Sequence, residues 1–255
     1  EMSASLVGSE MCIRDRNMMG VIYVSLGNES AAMDCYLEVL ECSKRHGITS
    51  VLALAYNNIG SRYQELRQHQ KAIGYFERSA DELEKVTDTE NENFQIRYLI
   101  THMNLMKSYG ELDRLDDARK ELLKLEKCSQ GIVNEMYRYS YLTLKSRLYW
   151  NIGEKEYVYE HLDELIKGGI DDSNAADYIE DVSDLCGLLK DMQEFDKWKR
   201  VILAFEQHAK KQNSIYYEMI LNEMWLDYYK ELGDNEQYVK LCIHYVDAVS
   251  YTHLR

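Results

Sequence analysis

The chain has no proline in its 255 residues, although average usage of about 5 % would supply roughly a dozen. Proline removes a backbone donor and clashes with the preceding helical turn, so it breaks the interior of a helix. Its absence therefore indicates a chain made almost wholly of helices. The sequence also contains no apolar run that approaches the roughly twenty residues needed to span a membrane, and no charged-then-apolar segment typical of a signal peptide.

Motifs for catalysis and metal binding are missing as well. The six cysteines include no C-x-x-C pair, and no histidine joins them at zinc spacing. There is no G-x-S-x-G, no phosphate-binding Walker loop and no G-x-G-x-x-G. We therefore predict a protein that is not an enzyme, with no catalytic residue, no cofactor and no metal site within this sequence.

The cysteines bear instead on packing and location. Cys35 and Cys42 lie seven residues apart, on one face of an expected helix, where small hydrophobic side chains pack. Unpaired cysteines on helices are typical of a reducing compartment, so the sequence favours a cytoplasmic location.

Basic residues are fewer than acidic ones: the chain has 30 lysines and arginines and 44 aspartates and glutamates, which gives a formal net charge of −14. Such a charge disfavours nucleic acid and anionic membranes as partners and favours a basic protein or peptide segment, although it also serves solubility. The carboxylate pairs Asp116–Asp117 and Asp171–Asp172 are expected at helix starts, where they stabilise exposed N–H groups. The Gly168–Gly169 pair is expected in a turn between helix pairs rather than in a phosphate-binding loop.

What the sequence does contain is an aromatic position that recurs about every forty residues. The aromatic residues are Tyr23, Tyr63, Tyr109, Tyr149 and Tyr229. A leucine, Leu188, fills the one place where the aromatic is missing, and the successive intervals are 40, 46, 40, 39 and 41 residues. A fixed period in this range indicates stacked structural repeats instead of one globular core.

Glycine follows the tyrosine by four residues in three of these units, at Gly27, Gly153 and Gly233. Glycine readily adopts the left-handed conformation that ends a helix. A first helix is therefore expected to stop at this point and to turn into a second.

Small residues recur on both helices of each expected pair and would let the two helices approach closely. On the first helix they are Gly20, Gly60 and Ser146, and on the second they are Ala32, Ala72 and Ala118. The aromatic side chain at Tyr36 or Phe76 is expected to fill the gap towards the next pair. In the later units larger residues take the places of the small ones, which predicts a looser or altered helix crossing there; they are Leu185, Leu226, Lys197 and Tyr238.

The second unit resembles the tetratricopeptide repeat, a helix–turn–helix unit of about 34 residues. The residues that carry the resemblance are Tyr56, Ile59, Gly60, Tyr63, Ala72, Phe76, Ser79 and Ala80. The likeness extends over nearly all of residues 17–248, and departs from the family in its longer period and in lacking the closing proline. It implies an all-α, right-handed superhelical solenoid of about six helix–turn–helix repeats with a period near 40 residues.

In the tetratricopeptide family the first helix of each pair lines a concave groove, and the resemblance implies such a groove here. The candidate peptide-binding residues are Asn57, Ser61, Gln64, Met103, Lys107, Thr143, Arg147 and Trp150. Lys107 and Arg147 hold equivalent places in adjacent units. With Asn57 they would bind a peptide carboxylate or backbone, because arginine offers a forked donor and asparagine both a donor and an acceptor. The alternatives are ordinary solvated polar residues and, for Trp150, a half-buried place in the core.

The resemblance favours a non-catalytic module that binds a protein or peptide segment and belongs to a larger bacterial protein. The alternative is the sensory region of a signalling protein whose output domain, a diguanylate cyclase or a helix-turn-helix DNA-binding domain, is missing from this chain. The stretch from Tyr228 to Val239 is similar in its general residue pattern, without a diagnostic motif, to the helical repeats that precede GGDEF-type cyclase domains. In both interpretations the visible residues bind a ligand and do not catalyse.

The two ends of the chain differ from the rest. Residues 1–16 and 249–255 resemble translated sequencing-library adapter, which occurs at the ends of proteins predicted from metagenomic reads; natural tails are the alternative. Terminal sequences of this kind are set aside in fold prediction. The predicted organisation is therefore an adapter-like tail over 1–16, the repeat solenoid over 17–248 and a second such tail over 249–255.

Overall fold

The computed structural model describes residues 2–48, 51–86, 89, 91–128, 135–170, 178–212 and 215–252. All regular structure within these ranges is helical, which confirms the predicted all-α fold. The helices are α1 (Met2–Ser25), α2 (Glu29–His46), α3 (Leu52–Glu65), α4 (His69–Leu83), α5 (Glu92–Glu111), α6 (Leu115–Cys128), α7 (Glu135–Asn151), α8 (Lys155–Ile170), α9 (Tyr178–Asp191), α10 (Phe195–Gln212), α11 (Ile215–Leu232) and α12 (Asn235–Thr252).

Consecutive helices form six antiparallel hairpins, because each odd-numbered helix is joined to the next by a short turn. We number the hairpins as repeats 1 to 6, from α1–α2 to α11–α12. The predicted series of about six helix–turn–helix repeats is confirmed.

The contacts divide the chain into two compact units, residues 1–134 and 135–255. Unit 1 holds repeats 1 to 3 and unit 2 holds repeats 4 to 6. A buried cluster in unit 1 lies between repeats 1 and 2, and a larger one in unit 2 draws on all three of its repeats. The single solenoid predicted over 17–248 stays a prediction.

The same pair of hydrogen bonds closes all six hairpin turns. In repeat 1 the N–H of Asn28 donates to the carbonyl of Tyr23 at 2.8 Å, and the N–H of Gly27 donates to Val24 at 2.9 Å. Across the six repeats the first bond measures 2.8 to 3.0 Å and the second 2.9 to 3.2 Å. This is the Schellman motif, which satisfies the last carbonyls of the first helix. We call the acceptor of the first bond the turn-acceptor residue: Tyr23, Tyr63, Tyr109, Tyr149, Leu189 and Tyr229.

The residue four places after the turn acceptor has a left-handed backbone in every repeat. Gly27, Gly153 and Gly233 have φ angles of 71°, 87° and 70°, which confirms the predicted helix stop at these glycines. The other three repeats form the same turn without glycine, at Arg67, Asp113 and Gln193, with φ angles of 55°, 57° and 58°.

The fifth repeat is shifted by one residue from the predicted alignment. The turn bond ends on Leu189 and not on Leu188, so Tyr149, Leu189 and Tyr229 are spaced by 40 residues each. The counterpart of Ala72 is then Trp198, which is 1 % exposed, and not Lys197. The prediction failed because Leu188 and Leu189 are both apolar and no glycine marks this turn.

Close approach of the paired helices at Gly20 and Gly60 is confirmed. A Cβ atom on Gly60 would lie 2.6 Å from the Phe76 ring, and one on Gly20 would overlap the Tyr36 ring. The aromatic ring therefore lies over the glycine of its own hairpin. Tyr36 also belongs to the buried cluster that includes residues of repeat 2, in agreement with the predicted place of the aromatic towards the next pair.

A turn was predicted at Gly168 and Gly169, but both residues lie within α8. A Cβ atom on Gly169 would come within 2.6 Å of Leu185 Cδ2, so α8 and α9 pack closely at this point. Asp116 and Asp117 do lie in the first turn of α6, whereas Asp171–Asp172 fall outside the described residues.

Helix α1 includes most of the adapter-like segment, and α12 extends through Thr252. Ile13 is 5 % exposed and belongs to the buried cluster of unit 1. The interpretation of residues 1–16 and 249–255 as non-native stays a prediction. Across the helices as described, none combines the length and apolar character that crossing a bilayer requires.

Candidate functional site

Asparagine side chains join the first helices of the three repeats in unit 1. Asn58 Nδ2 donates to Asn17 Oδ1 at 2.9 Å, and Asn104 Nδ2 donates to Asn57 Oδ1 at 3.2 Å. Asn17 and Asn57, which accept these bonds, each lie six residues before the turn-acceptor residue of their repeat. Asn58 and Asn104, which donate them, each lie five residues before it. The same bond is therefore made twice, from repeat 2 to repeat 1 and from repeat 3 to repeat 2. We call these four residues, with Gln64, the amide ladder.

Gln64 adds a second connection between repeats 2 and 3. Its Nε2 donates to Ser108 Oγ at 2.7 Å and to the Asn104 carbonyl at 3.1 Å. Thr101 Oγ1 donates to Asn57 Oδ1 at 3.4 Å. Helices α3 and α5 are therefore fixed side by side through neutral polar groups.

The amide ladder leaves some of its polar atoms open. Within the described ranges, Asn57 Nδ2 has no acceptor, and the amide oxygens of Asn58, Gln64 and Asn104 have no donor. All four side chains belong to half-buried residues. One donor and three acceptors on neighbouring helices match the alternating donors and acceptors of a polypeptide backbone.

In unit 2 the first helices are joined by charges. Arg147 is paired with Asp191, and its Nη2 donates to the Asp184 carbonyl at 3.2 Å. Arg147 also lies over Gly187, where a Cβ atom would be 2.7 Å from Nη2. Gly187 is two residues before its turn acceptor, as Arg147 is, so the missing side chain in repeat 5 makes room for the arginine of repeat 4.

The next pair of repeats continues the pattern. Lys190 Nζ lies 3.0 Å from Glu231 Oε1 and 3.6 Å from Asp227 Oδ2. Burial alone would lower the pKa of Lys190, but these two carboxylates outweigh it and raise the pKa above its ordinary value. We call the two sets of pairs, Arg147 with Asp191 and Lys190 with Asp227 and Glu231, the ion ladder.

The predicted groove residues of unit 1 are only partly gathered. Asn57, Ser61 and Gln64 lie together on α3, where Ser61 Oγ donates to the Asn57 carbonyl at 3.1 Å. Met103 and Lys107 are half-buried on α5. Asn58 and Asn104 were not predicted, although asparagines that recur in adjacent units are a signal in the sequence.

The predicted residues of unit 2 differ more from expectation. Thr143 is 1 % exposed, so its side chain is not available to a ligand. The guanidinium of Arg147 already has two partners within unit 2. Trp150 is half-buried against the core, with Lys155 Nζ 4.3 Å from its ring centroid, in agreement with the core alternative.

A buried histidine–glutamate pair in repeat 3 was not anticipated. His102 is fully buried, and its Nδ1–H donates to Glu121 Oε2 at 2.5 Å. Burial opposes ionisation of Glu121, but bonds from His102 and Lys124 outweigh it and hold the pKa of the carboxyl below its ordinary value. The pair joins α5 to α6. In repeats 2, 4 and 5 the place of His102 is taken by Tyr56, Leu142 and Val182, so a histidine at this place was a usable signal.

The remaining candidates for chemistry are metal-ligating side chains and cysteine thiols. No cluster of three or more His, Cys, Asp or Glu side chains in the described part of the chain could hold a metal ion. Burial raises the pKa of Cys186 to about 12, and Cys35 is buried as expected.

Two stretches of the chain match a known repeat family in sequence. Residues 16–46 and 52–88 match family models of the tetratricopeptide repeat. These two stretches, which lie in repeats 1 and 2, are therefore similar to tetratricopeptide repeats in sequence. Such repeats generally mediate protein–protein interaction and typically form non-catalytic scaffolds. No curated protein matches the chain by sequence.

Two solved structures share the repeat fold. Both are of the nearly identical TPR-like repeats of a putative kinesin light chain from Podosopora anserina, and one is a point variant. Their TM-scores are 0.55 for the variant and 0.52, with 13 % and 14 % sequence identity. Each comparison covers 79 % of this chain and 97 % of the other. At this identity the likeness establishes the fold.

Proposed function

We propose that the chain is a non-catalytic peptide-binding module and that unit 1 binds an extended segment of a partner protein. The observation that carries the proposal is the amide ladder, whose open atoms comprise one donor and three acceptors on α3 and α5. Amides that are already fixed to one another lose little further freedom on binding, which favours affinity.

The spacing between packed helices suits a ligand in an extended conformation. Packed helices lie about 8–10 Å apart, and an extended chain advances about 3.3 Å per residue. One repeat therefore corresponds to about three ligand residues. Bonds from the amide ladder to backbone groups would hold the ligand with little dependence on its sequence.

Charge would supply selectivity. The chain carries a net charge of −14, so basic side chains on the ligand are favoured over acidic ones. Arg147 is excluded from the proposed site because its guanidinium is bonded to Asp191 and to the Asp184 carbonyl.

The test is peptide binding by an Asn57→Asp variant. The carboxylate keeps the oxygen that accepts bonds from Thr101 and Asn104, but it removes the open Nδ2 donor. A basic peptide selected from a random library on the wild-type protein serves as the probe, with affinity measured by fluorescence anisotropy. The added negative charge can only attract a basic peptide, so a loss of affinity of about tenfold, the worth of one hydrogen bond, reports the missing donor.

Two controls complete the experiment. Asn93→Asp makes the same chemical change at an exposed position in the first turn of α5, and Arg147→Gln alters the ion ladder of unit 2. Both are expected to bind the peptide as the wild type does. Equal affinity of Asn57→Asp and wild type would contradict the proposed site.

A further inference from the structure

The second helix of repeat 5, α10, has an exposed basic face although the chain as a whole carries a net charge of −14. The side chains of Lys199, Arg200, Lys210 and Lys211 are all exposed. Leu203, which lies between the two basic pairs, is 44 % exposed. An α-helix turns by about 100° per residue, so these side chains fall within about 120° of one another and share one face. We call these five residues the basic stripe.

Most of the cations in the basic stripe are not neutralised within the described part of the chain. Lys199, Arg200 and Lys211 make no ion pair with any described carboxylate. By contrast, Lys210 Nζ lies 2.6 Å from Glu206 Oε1. Uncompensated cations that share one exposed face produce a local positive potential, which attracts anionic groups.

Repeat 3 shows how the same face is neutralised elsewhere in the chain. Counted from the turn-acceptor residue, α6 has two adjacent basic residues and an exposed leucine, Leu123, at the same places as α10. The second of these basic residues, Lys120, is paired with Asp117 at 2.8 Å. In repeat 5 the place of Asp117 is taken by Lys197, which is paired with Glu194. Because a lysine stands where repeat 3 has this aspartate, α10 keeps its positive face.

We propose that the basic stripe binds an acidic segment of a partner protein that also carries an apolar side chain. The cations match carboxylates on the partner, and Leu203 between them matches the apolar side chain. From Lys199 to Lys211 the helix advances about 18 Å, which is the length of about five or six residues of an extended chain. The surface lies in unit 2 and is separate from the amide ladder of unit 1.

The apolar residue and the range of the charges favour a protein segment over other anionic partners. A nucleic acid is held through its phosphates and would use the cations alone. A membrane surface needs a large apolar face, and Leu203 is a single side chain. The Debye length at physiological ionic strength is about 8 Å, so the basic stripe decides this contact and more distant acidic residues are screened.

The test is the binding of a fluorescently labelled acidic peptide. The peptide is selected on the wild-type protein from a library enriched in aspartate, glutamate and leucine, and its affinity is measured by fluorescence anisotropy in about 0.15 M NaCl. The Lys199→Glu/Arg200→Glu variant is expected to bind at least about tenfold more weakly, because two attractions become repulsions. Leu203→Gln keeps the charges and is expected to bind about threefold more weakly, because part of an apolar contact is lost.

Two controls separate the basic stripe from the net charge and from unit 1. Lys167→Glu/Lys230→Glu makes the same change of charge at exposed positions on other helices of unit 2, and is expected to bind the acidic peptide as the wild type does. Asn57→Asp alters the amide ladder and is also expected to leave this affinity unchanged, so the two peptide sites succeed or fail independently. Circular dichroism checks that every variant is folded.

The proposal would be overturned by a library that yields no acidic peptide able to bind the wild type. Equal affinity of Lys199→Glu/Arg200→Glu and wild type would also contradict it, as would an equal loss in Lys167→Glu/Lys230→Glu. An oligonucleotide and phosphatidylserine vesicles are measured in parallel. If either binds through Lys199 and Arg200 while the peptide does not, the basic stripe serves another class of partner and the proposal is wrong.

Discussion

Units 1 and 2 use the same hairpin and the same turn but join their first helices by different chemistry. In unit 1 neutral amides connect the repeats, as in the bond from Asn58 to Asn17. In unit 2 ion pairs connect them, as in Arg147 with Asp191. The repeat fold thus depends on the turn and on the buried stripe between helices, and the polar contacts between the first helices of neighbouring repeats can differ.

The two ladders are expected to respond differently to salt. An exposed or half-exposed ion pair contributes about 0–1 kcal/mol and is screened by salt, whereas a neutral hydrogen bond contributes about 0.5–1.5 kcal/mol and is not. The chain offers a probe for one unit alone, because all three tryptophans, Trp150, Trp198 and Trp225, lie in unit 2. Tryptophan fluorescence therefore follows unit 2, and far-ultraviolet circular dichroism follows both units.

The largest effect is expected at the buried pair of repeat 3. Replacing His102 with leucine leaves the Glu121 carboxylate buried with Lys124 alone, and breaking a buried pair typically costs about 3–5 kcal/mol. Urea unfolding monitored by circular dichroism should show a lower midpoint for unit 1, while the fluorescence midpoint of unit 2 stays unchanged. A His102→Leu/Glu121→Leu double variant should regain much of the loss, and a double variant as unstable as the single one would count against the pair.

The same pair predicts an acid response of unit 1. Since the pKa of Glu121 is lower in the folded state than in the unfolded chain, its contribution is complete above the ordinary glutamate pKa. It is lost as the pH falls through the depressed pKa. Urea midpoints measured between pH 7 and pH 3 should fall more steeply for wild type than for the double leucine variant. Parallel curves would contradict this assignment.

A medium effect is expected where the helices of a hairpin come closest. Gly60→Ala places a methyl group 2.6 Å from the Phe76 ring, and such overpacking typically costs about 1–3 kcal/mol, more than alanine gains in helix propensity. At the same place in repeat 4, Ser146 Oγ is buried and has no partner among the described residues, so Ser146→Ala should be neutral or stabilising. The thermal midpoint should therefore fall for Gly60→Ala and should rise or stay unchanged for Ser146→Ala.

The two ladders predict a smaller difference. Asn58→Ala removes the donor to Asn17 Oδ1, and Asn17 is 8 % exposed, so a loss of about 1 kcal/mol is expected. Arg147→Met removes one ion pair whose partner Asp191 is 48 % exposed, and should cost less than about 1 kcal/mol. The two losses of stability are measured as shifts of the urea midpoint. Circular dichroism follows the shift for Asn58→Ala, and tryptophan fluorescence follows the shift for Arg147→Met. A larger cost for Arg147→Met would reverse the comparison.

The smallest effects are expected at the turns. Arg67 has a φ of 55°, a conformation that costs a non-glycine residue about 1 kcal/mol, so Arg67→Gly should be stabilising by up to about 1 kcal/mol. Gly153→Ala, at the same place in repeat 4, should be destabilising by a similar amount. Thermal midpoints of the two variants should move apart, and a destabilised Arg67→Gly would mean that the arginine side chain outweighs its backbone strain.

The fold was largely predictable because its signals are local. The turn glycines Gly27, Gly153 and Gly233 and the small residues opposite an aromatic ring act within one hairpin. The fifth repeat was misaligned because Gln193 forms the left-handed turn without glycine, and two adjacent leucines fit the pattern equally well.

The candidate site was less predictable, since it depends on contacts between repeats. The resemblance to the family suggested Asn57 and Gln64, which belong to the amide ladder, but also Thr143, which is buried. Arg147 was chosen because it falls on a groove position of the family and offers a forked donor, and only the structure shows that Asp191, 44 residues later, is its partner.

The most direct test of the account is the salt dependence of the two units. Urea unfolding is followed by both probes as NaCl rises from about 0.01 M to about 1 M, over which the Debye length falls from roughly 30 Å to roughly 3 Å. We expect salt to lower the fluorescence midpoint of the wild type relative to that of an Arg147→Met/Lys190→Met variant, with no matching difference between Asn58→Ala and wild type by circular dichroism. Equal salt responses of wild type and the double methionine variant would contradict the claim that charges join the repeats of unit 2.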